Sequence, residues 1–149
     1  MNITVVGSGG WGTALALLLR NNGHSVTLWS FAQSEIDYIQ THHENALLKG
    51  VTIPEDIALT TDISAVLQAD LVVSAVPSFA VRQTAERLRP YLRPETILVS
   101  VTKGIERDTS LRMSEILAEV TGHTVAVLSG PTHAEEVARG IPTGCVAAA

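Results

Sequence analysis

The chain has 149 residues and is 46% hydrophobic, which suits one folded domain with a sizeable core and rules against disorder. Its net charge of −5 argues against nonspecific binding to nucleic acid or to an anionic membrane surface, which needs a basic face. A single cysteine, Cys145, allows no internal disulfide, and Arg20, Pro77 and Lys103 break the apolar runs before bilayer length; a cytoplasmic protein without membrane insertion is expected.

Ile3 to Val6 is short, β-branched and bounded by glycine, which predicts a buried strand. Ala14 to Leu19, rich in alanine and leucine, predicts a helix. Between them Gly7, Gly9 and Gly12 have the spacing G-x-G-x-x-G. Gly7 would allow the tight turn out of the strand, Gly9 the close approach of a pyrophosphate, and Gly12 hard packing of helix on strand. The helix start then offers free N–H groups and a positive dipole end to phosphates. The glycines alone are a weak signal; a strand before them and a helix after them are the context that a dinucleotide-binding turn demands.

Ser25 to Trp29 is the second strand, reached through the helix-stop residues Asn21, Asn22 and Gly23. In a dinucleotide fold, an acid near the end of this strand holds the ribose hydroxyls and a base favours a 2′-phosphate. Here stand Ser30, Phe31, Ala32 and Gln33, neither acid nor base; the first acid, Glu35, lies further on, in a helix expected over about Ser34–His42. Phe31 is a candidate to cover one face of adenine, with an ordinary core or surface aromatic as the competing reading. NAD or NADP is left open as the cofactor.

His42 and His43 open a long irregular stretch that runs to Pro54. No further ligands group with the pair, so it reads as a solvated helix end and no metal is expected. The stretch itself is too long for a simple connector. Thr60-Thr61-Asp62 caps a short helix over Ile63 to Gln68. Asp70 to Ser78 predicts a parallel strand buried on both faces and ended by Pro77, then a helix from about Phe79 to Leu92. Arg82, Arg87, Arg89 and Arg93 lie on or near that helix and read as a solvated face, except Arg82, which is close enough to the strand end to be a site candidate. Thr96 to Val101 is another strand, with Thr102-Lys103-Gly104 at its exit. Asp108-Thr109-Ser110 is the expected start of a helix to about Val120. Thr124 to Leu128 is a strand ending in Ser129-Gly130-Pro131; Pro131 suits a first helical turn, with Glu135 and Glu136 favouring its dipole. Gly144 to Ala149 reads as the start of one more strand that stops without cap or turn, as a cut would leave it.

Strands alternating with helices imply an α/β, doubly wound, mostly parallel sheet with helices on both faces and right-handed crossovers. Ligands bind outside the carboxyl edge of such a sheet. The unusual residues all follow strands: Gly7 to Gly12, Pro77 to Phe79, Thr102 to Gly104, and Ser129 to Thr132. Lys103 is the lone cation among them and could fix a phosphate or carboxylate. His133 is an acid or base by type, but nothing nearby orients it and no role is given to it.

Taken with Ala14, Val76, Ile105, Glu106 and the run Thr132-His133-Ala134-Glu135-Glu136, these motifs make the whole chain resemble the amino-terminal domain of bacterial NAD(P)-dependent sn-glycerol-3-phosphate dehydrogenases. Trp11 inside the glycine loop and the Lys103-Gly104-Ile105-Glu106 run are more specific than the glycines, and Asn45 to Pro54 is similar to the family's loop. The resemblance implies a Rossmann-type domain over residues 1–149 and a helical catalytic domain after it. It implies reversible hydride transfer between NAD(P)H and dihydroxyacetone phosphate, making glycerol 3-phosphate for phospholipid synthesis. Gly10 and Trp11 match cofactor-binding positions, Lys103 a position touching cofactor and substrate, Gly130 and Thr132 substrate positions, and Ala134 a cofactor position. Gly7, Gly9, Gly12, Phe31 and Pro77 complete the expected cofactor set. The family often has serine where Gly10 and Thr132 stand, changes that keep a backbone donor, and basic residues where Phe31 and Ala32 stand, which leaves NADP preference open. Its catalytic lysine lies in the second domain, so no catalytic residue is expected here, and the chain alone is expected to bind nucleotide weakly without turnover. The implied partner is a small-molecule substrate, with room for a homodimer of the full-length protein. Two competing readings are another hydroxyacid-dehydrogenase-type Rossmann domain, against which Trp11 and Lys103-Gly104 weigh, and a stand-alone dinucleotide sensor with a natural end at Ala149.

Overall fold

In the computed structural model, which describes residues 1–149, the apolar runs line up as one seven-stranded sheet. The strands are β1 (Asn2–Val6), β2 (Ser25–Trp29), β3 (Ala58–Thr60), β4 (Leu71–Ser74), β5 (Ile97–Ser100), β6 (Val125–Ser129) and β7 (Val146–Ala148). The helices are α1 (Gly10–Asn21), α2 (Gln33–His42), α3 (Val81–Leu88), α4 (Met113–Thr121) and α5 (Ala134–Ala138). The spatial order is β3-β2-β1-β4-β5-β6-β7, parallel throughout except for β7, which runs antiparallel to β6. From β1 the chain winds outward through β2 to β3, then crosses back to β4 and winds the other way. The β1–β4 boundary is therefore the switch point, and a crevice opens outside it.

The strands carry continuous apolar runs because both faces of the sheet are covered. Val5 and Val6 are adjacent, point to opposite faces, and are each fully buried in a different core cluster. On the Val5 side, Ala14 and Leu15 of α1 pack with Leu28, Leu48 and Ile53, and Val137 and Ala138 of α5 join the edge. On the Val6 side, Val81, Ala85 and Leu88 of α3 meet Met113, Ile116 and Leu117 of α4.

Several local expectations shift. β3 is an addition: with three residues on a sheet edge it is too short to show a run, and its pairing to β2 makes it a strand. β4 ends at Ser74, before Pro77, because the chain leaves the ladder there to form the crevice wall. The expected Phe79–Leu92 helix breaks into a 3-10 turn over Ser78–Ala80, α3, and a second 3-10 turn over Arg89–Tyr91, where Pro90 has no N–H to continue the ladder. α4 begins at Met113, not near Ser110, which has φ +61 and cannot enter a right-handed helix. Arg112 takes the N-cap position, with Glu115 closing back on its N–H at 2.8 Å. Pro131 stays outside α5, but Glu135 and Glu136 occupy its first turn as expected. No helix is long and apolar enough to cross a membrane.

Candidate functional site

A cavity of about 710 Å³ lies along the carboxyl edge over the β1–β4 boundary. Every exit picked out from the sequence contributes to it: Gly7 to Trp11 after β1, Pro77 to Phe79 after β4, Thr102 and Lys103 after β5, and Thr132 and Ala134 after β6. Phe31 lines it after β2. Two of the expected residues, Gly12 and Gly130, stand behind the wall instead. A Cβ at Gly12 would lie 1.9 Å from the Gly7 carbonyl oxygen, so Gly12 sets how closely α1 meets β1. A Cβ at Gly130 would lie 2.9 Å from the Gly144 carbonyl oxygen, so Gly130 lets β7 return against the β6 exit.

The glycine loop is built for an anion. α1 starts at Gly10, with Gly9 at its N-cap and no side-chain cap, so its first N–H groups are uncapped by any side chain. A Cβ at Gly9 would meet no protein atom within 4 Å, which leaves bare backbone facing the cavity. Such a cradle fits the diphosphate of a dinucleotide. Asn45 pins the loop from behind: its buried amide donates to the Ser8 carbonyl at 2.7 Å and to Thr13 Oγ1 at 2.8 Å, and its oxygen accepts from the Leu47 N–H at 2.9 Å. The long stretch after α2 thus serves as a brace that brings Leu47 to the cavity wall. Asn45 had no local signal beyond its place in an overlong loop.

At the β5 exit, Lys103 is exposed, its Nζ 3.5 Å from Thr132 Oγ1, and it takes part in no ion pair. Its backbone is held on both sides. Thr102 Oγ1 donates to the Val76 carbonyl at 2.7 Å, and Gly104 turns at φ +131, with Ser78 Cβ 3.0 Å from where its own Cβ would be. An ammonium without a carboxylate partner keeps its charge for a ligand.

The arginines divide differently from the sequence expectation. Arg82 does not line the cavity: Nε and Nη2 form two 2.8 Å hydrogen bonds to the Glu106 carboxylate and Nη1 reaches Glu119 at 2.7 Å. This is a brace for the loop carrying Lys103. Arg87 is the one that reaches the cavity, its guanidinium over the rings of Trp29 at 5.3 Å and Phe31 at 5.6 Å. A helical period counted from the strand exit finds it, since Ala80, Gln83, Thr84 and Arg87 share the cavity face. Glu35 also lines the cavity, accepting from Ser8 Oγ and Ser30 Oγ.

The Arg82 guanidinium and the Thr109 hydroxyl together hold the Glu106 carboxyl down at about 2. A folded value below the ordinary carboxylate range means stability that is present above that range and lost as pH falls toward about 2. The thermal midpoint should therefore fall more steeply between pH 5 and pH 3 in the native chain than in Glu106→Gln. Parallel melting curves across that window check this, and equal slopes would remove the brace from the account.

Residues 2–149 match the family described as NAD-dependent glycerol-3-phosphate dehydrogenase N-terminus. A glycerol-3-phosphate dehydrogenase (NAD(P)+) of Fusobacterium nucleatum is 45% identical over 154 residues, covering 100% of this chain and 46% of that protein. One of the same description from a Thermoanaerobacter species is 46% identical over 149 residues, covering 99% and 45%. The crystal structure of glycerol-3-phosphate dehydrogenase from Coxiella burnetii superposes with a TM-score of 0.89 at 35% identity, covering 97% of this chain and 45% of that one. The chain spans about half the length of the curated relatives it matches.

Proposed function

Because the chain belongs to the NAD-dependent glycerol-3-phosphate dehydrogenase N-terminal family, we propose that it is the nucleotide-binding half of an enzyme that reversibly reduces dihydroxyacetone phosphate to sn-glycerol 3-phosphate. The observation that carries the reading is one cavity with bare glycine-loop backbone in its wall and an unpaired ammonium, Lys103, on its rim. When bound, the nicotinamide supplies the hydride.

The chain's own residues do the rest of the work assigned to this half. Gly9, Gly10 and the start of α1 hold the diphosphate, Pro77 and Ala134 wall the nicotinamide side, and Lys103 with Thr132 fixes the substrate's anionic or carbonyl oxygen. Gly130 shapes the exit that presents Thr132. A ketone also takes up a proton, and a positioned acid contributes much of the rate. We assign that acid and the remaining substrate contacts to a helical domain after residue 149 in the complete polypeptide, in line with relatives about twice as long. The negative charge and single cysteine support a cytoplasmic enzyme working on small molecules, its product feeding glycerophospholipid synthesis. We assign a homodimer to the complete enzyme.

Titration calorimetry of this chain with NADH should show one site with Kd between roughly 10 μM and 1 mM. Mixed with NADH and dihydroxyacetone phosphate, the same chain should show no turnover. An absence of heat from either nicotinamide nucleotide would overturn the reading, and a rate near the common ~10 s⁻¹ would overturn the division of labour between the halves.

A further inference from the structure

We propose that Glu35 reads the adenosine ribose and selects NAD(H) over NADP(H), an inference that rests on the dinucleotide reading above. In this class of fold the ribose is read just beyond the second strand, where an acid takes the two hydroxyls and a base welcomes a 2′-phosphate. The residues directly after β2, Ser30 to Gln33, include neither. The acid comes instead from the first turn of α2.

Its position is held from two sides. Glu35 Oε2 accepts from Ser8 Oγ, in the glycine loop, and from Ser30 Oγ, at the end of β2, each at 2.5 Å. Both serines are buried, Ser30 fully. The Ala32 N–H donates to Ser30 Oγ at 3.2 Å and so orients that hydroxyl toward the carboxylate. A long side chain that would otherwise sample many rotamers is thus clamped at the wall between Phe31 and the diphosphate cradle. Oε1 has no partner within the protein, neither hydrogen bond nor ion pair, and is the acceptor left over for a ligand. A vicinal diol can donate to such a carboxylate through charge-assisted bonds. A 2′-phosphate would instead bring like charge against it.

One cation could offset that repulsion. Arg87 lines the same end of the cavity but lies over the rings of Trp29 and Phe31 and makes no ion pair with Glu35. Its flat guanidinium and the exposed Phe31 ring suit the faces of adenine. With the carboxylate removed, Arg87 becomes the unopposed charge at the ribose edge, and the preference should relax toward the phosphorylated nucleotide.

The chain has two tryptophans, Trp11 and Trp29, and both line the cavity, so quenching of their fluorescence reports binding directly. NADH and NADPH are titrated separately into the native chain, Glu35→Gln and Ser30→Ala. The native chain should bind NADH at least ~10-fold more tightly than NADPH. Glu35→Gln, which keeps the shape and removes the charge, should shrink that ratio by ~10-fold or more through tighter NADPH binding. Ser30→Ala, which loosens the clamp, should weaken NADH binding with a smaller change in the ratio. Glu35 is exposed and its substitution leaves the core untouched, which circular dichroism verifies. A native chain without NADH preference, or a ratio unchanged in Glu35→Gln, overturns the assignment while leaving the dinucleotide reading in place. If the native chain binds neither nucleotide, both fall.

Discussion

Gly12→Ala should lower the thermal midpoint by roughly 10 °C and abolish nucleotide binding. The added Cβ would lie 1.9 Å from the Gly7 carbonyl oxygen, 3.1 Å from the Gly7 carbonyl carbon and 3.2 Å from the Ala75 Cβ. None of these can swing aside. Gly7 itself is fixed by its N–H to the Trp29 carbonyl at 3.0 Å, and a Cβ on Gly7 would run into the Ala75 backbone at 2.6 Å. α1 would have to lift off β1, against the core formed by Ala14, Leu15 and Val5. Forced overpacking costs about 1–3 kcal/mol and occasionally more, and a clash with backbone belongs at the upper end. A lifted α1 would also move its first N–H groups away from the place proposed for the diphosphate.

Gly9→Ala separates the two effects. Its Cβ would meet no protein atom within 4 Å, and Gly9 has φ −65, a value open to alanine. That variant should melt within a few degrees of the native chain yet lose NADH binding, because the methyl group occupies the space that the ligand needs. Scanning fluorimetry and NADH titration on both variants check the pair. A Gly12→Ala chain melting with the native one would show that the helix sits further from the strand than described.

The second large effect concerns chemistry. In the complete enzyme, Lys103→Met should reduce kcat/KM for dihydroxyacetone phosphate by about 100-fold while changing the NADH Kd by less than ~10-fold. Charge-assisted bonds contribute about 1.5–3 kcal/mol, which corresponds to roughly 10- to 150-fold. Lys103 has no carboxylate to compete for its charge, and Thr132 Oγ1 at 3.5 Å is its only side-chain neighbour in hydrogen-bond range. Methionine keeps the length and the apolar stem, and Lys103 is exposed, so stability should change by no more than about 0.5 kcal/mol. Steady-state kinetics with both substrates varied reads the effect. An unchanged kcat/KM would take the ammonium out of substrate binding.

Much of this architecture is legible in the sequence alone. β2 falls on the expected Ser25–Trp29 span, and the glycine turn, the proline exit after β4 and the lysine exit after β5 meet on one rim. Each rests on short-range chemistry: β-branched runs between turn residues, glycine where no Cβ fits, and strand exits that parallel topology brings to one edge. The misses are of another kind. Ser8 and Glu35 are 27 positions apart, as the hydrogen bond between them records, and Asn45 reaches 37 positions back to Ser8. No periodicity or local turn rule reports contacts at that separation. Arg82 was the arginine nearer the strand exit, yet Glu106 and Glu119, from the next crossover, claim it, while Arg87 one turn later faces the cavity.

By itself, then, the order of residues determined the family, the parallel α/β plan and the strand-exit loops that line the cavity, since these follow from local propensity and spacing. Only the tertiary structure decided which charges are spent holding loops and which stay free for a ligand. Ion pairs and hydrogen-bond clamps join elements brought together by the winding of the sheet, and that proximity is a property of the packed chain.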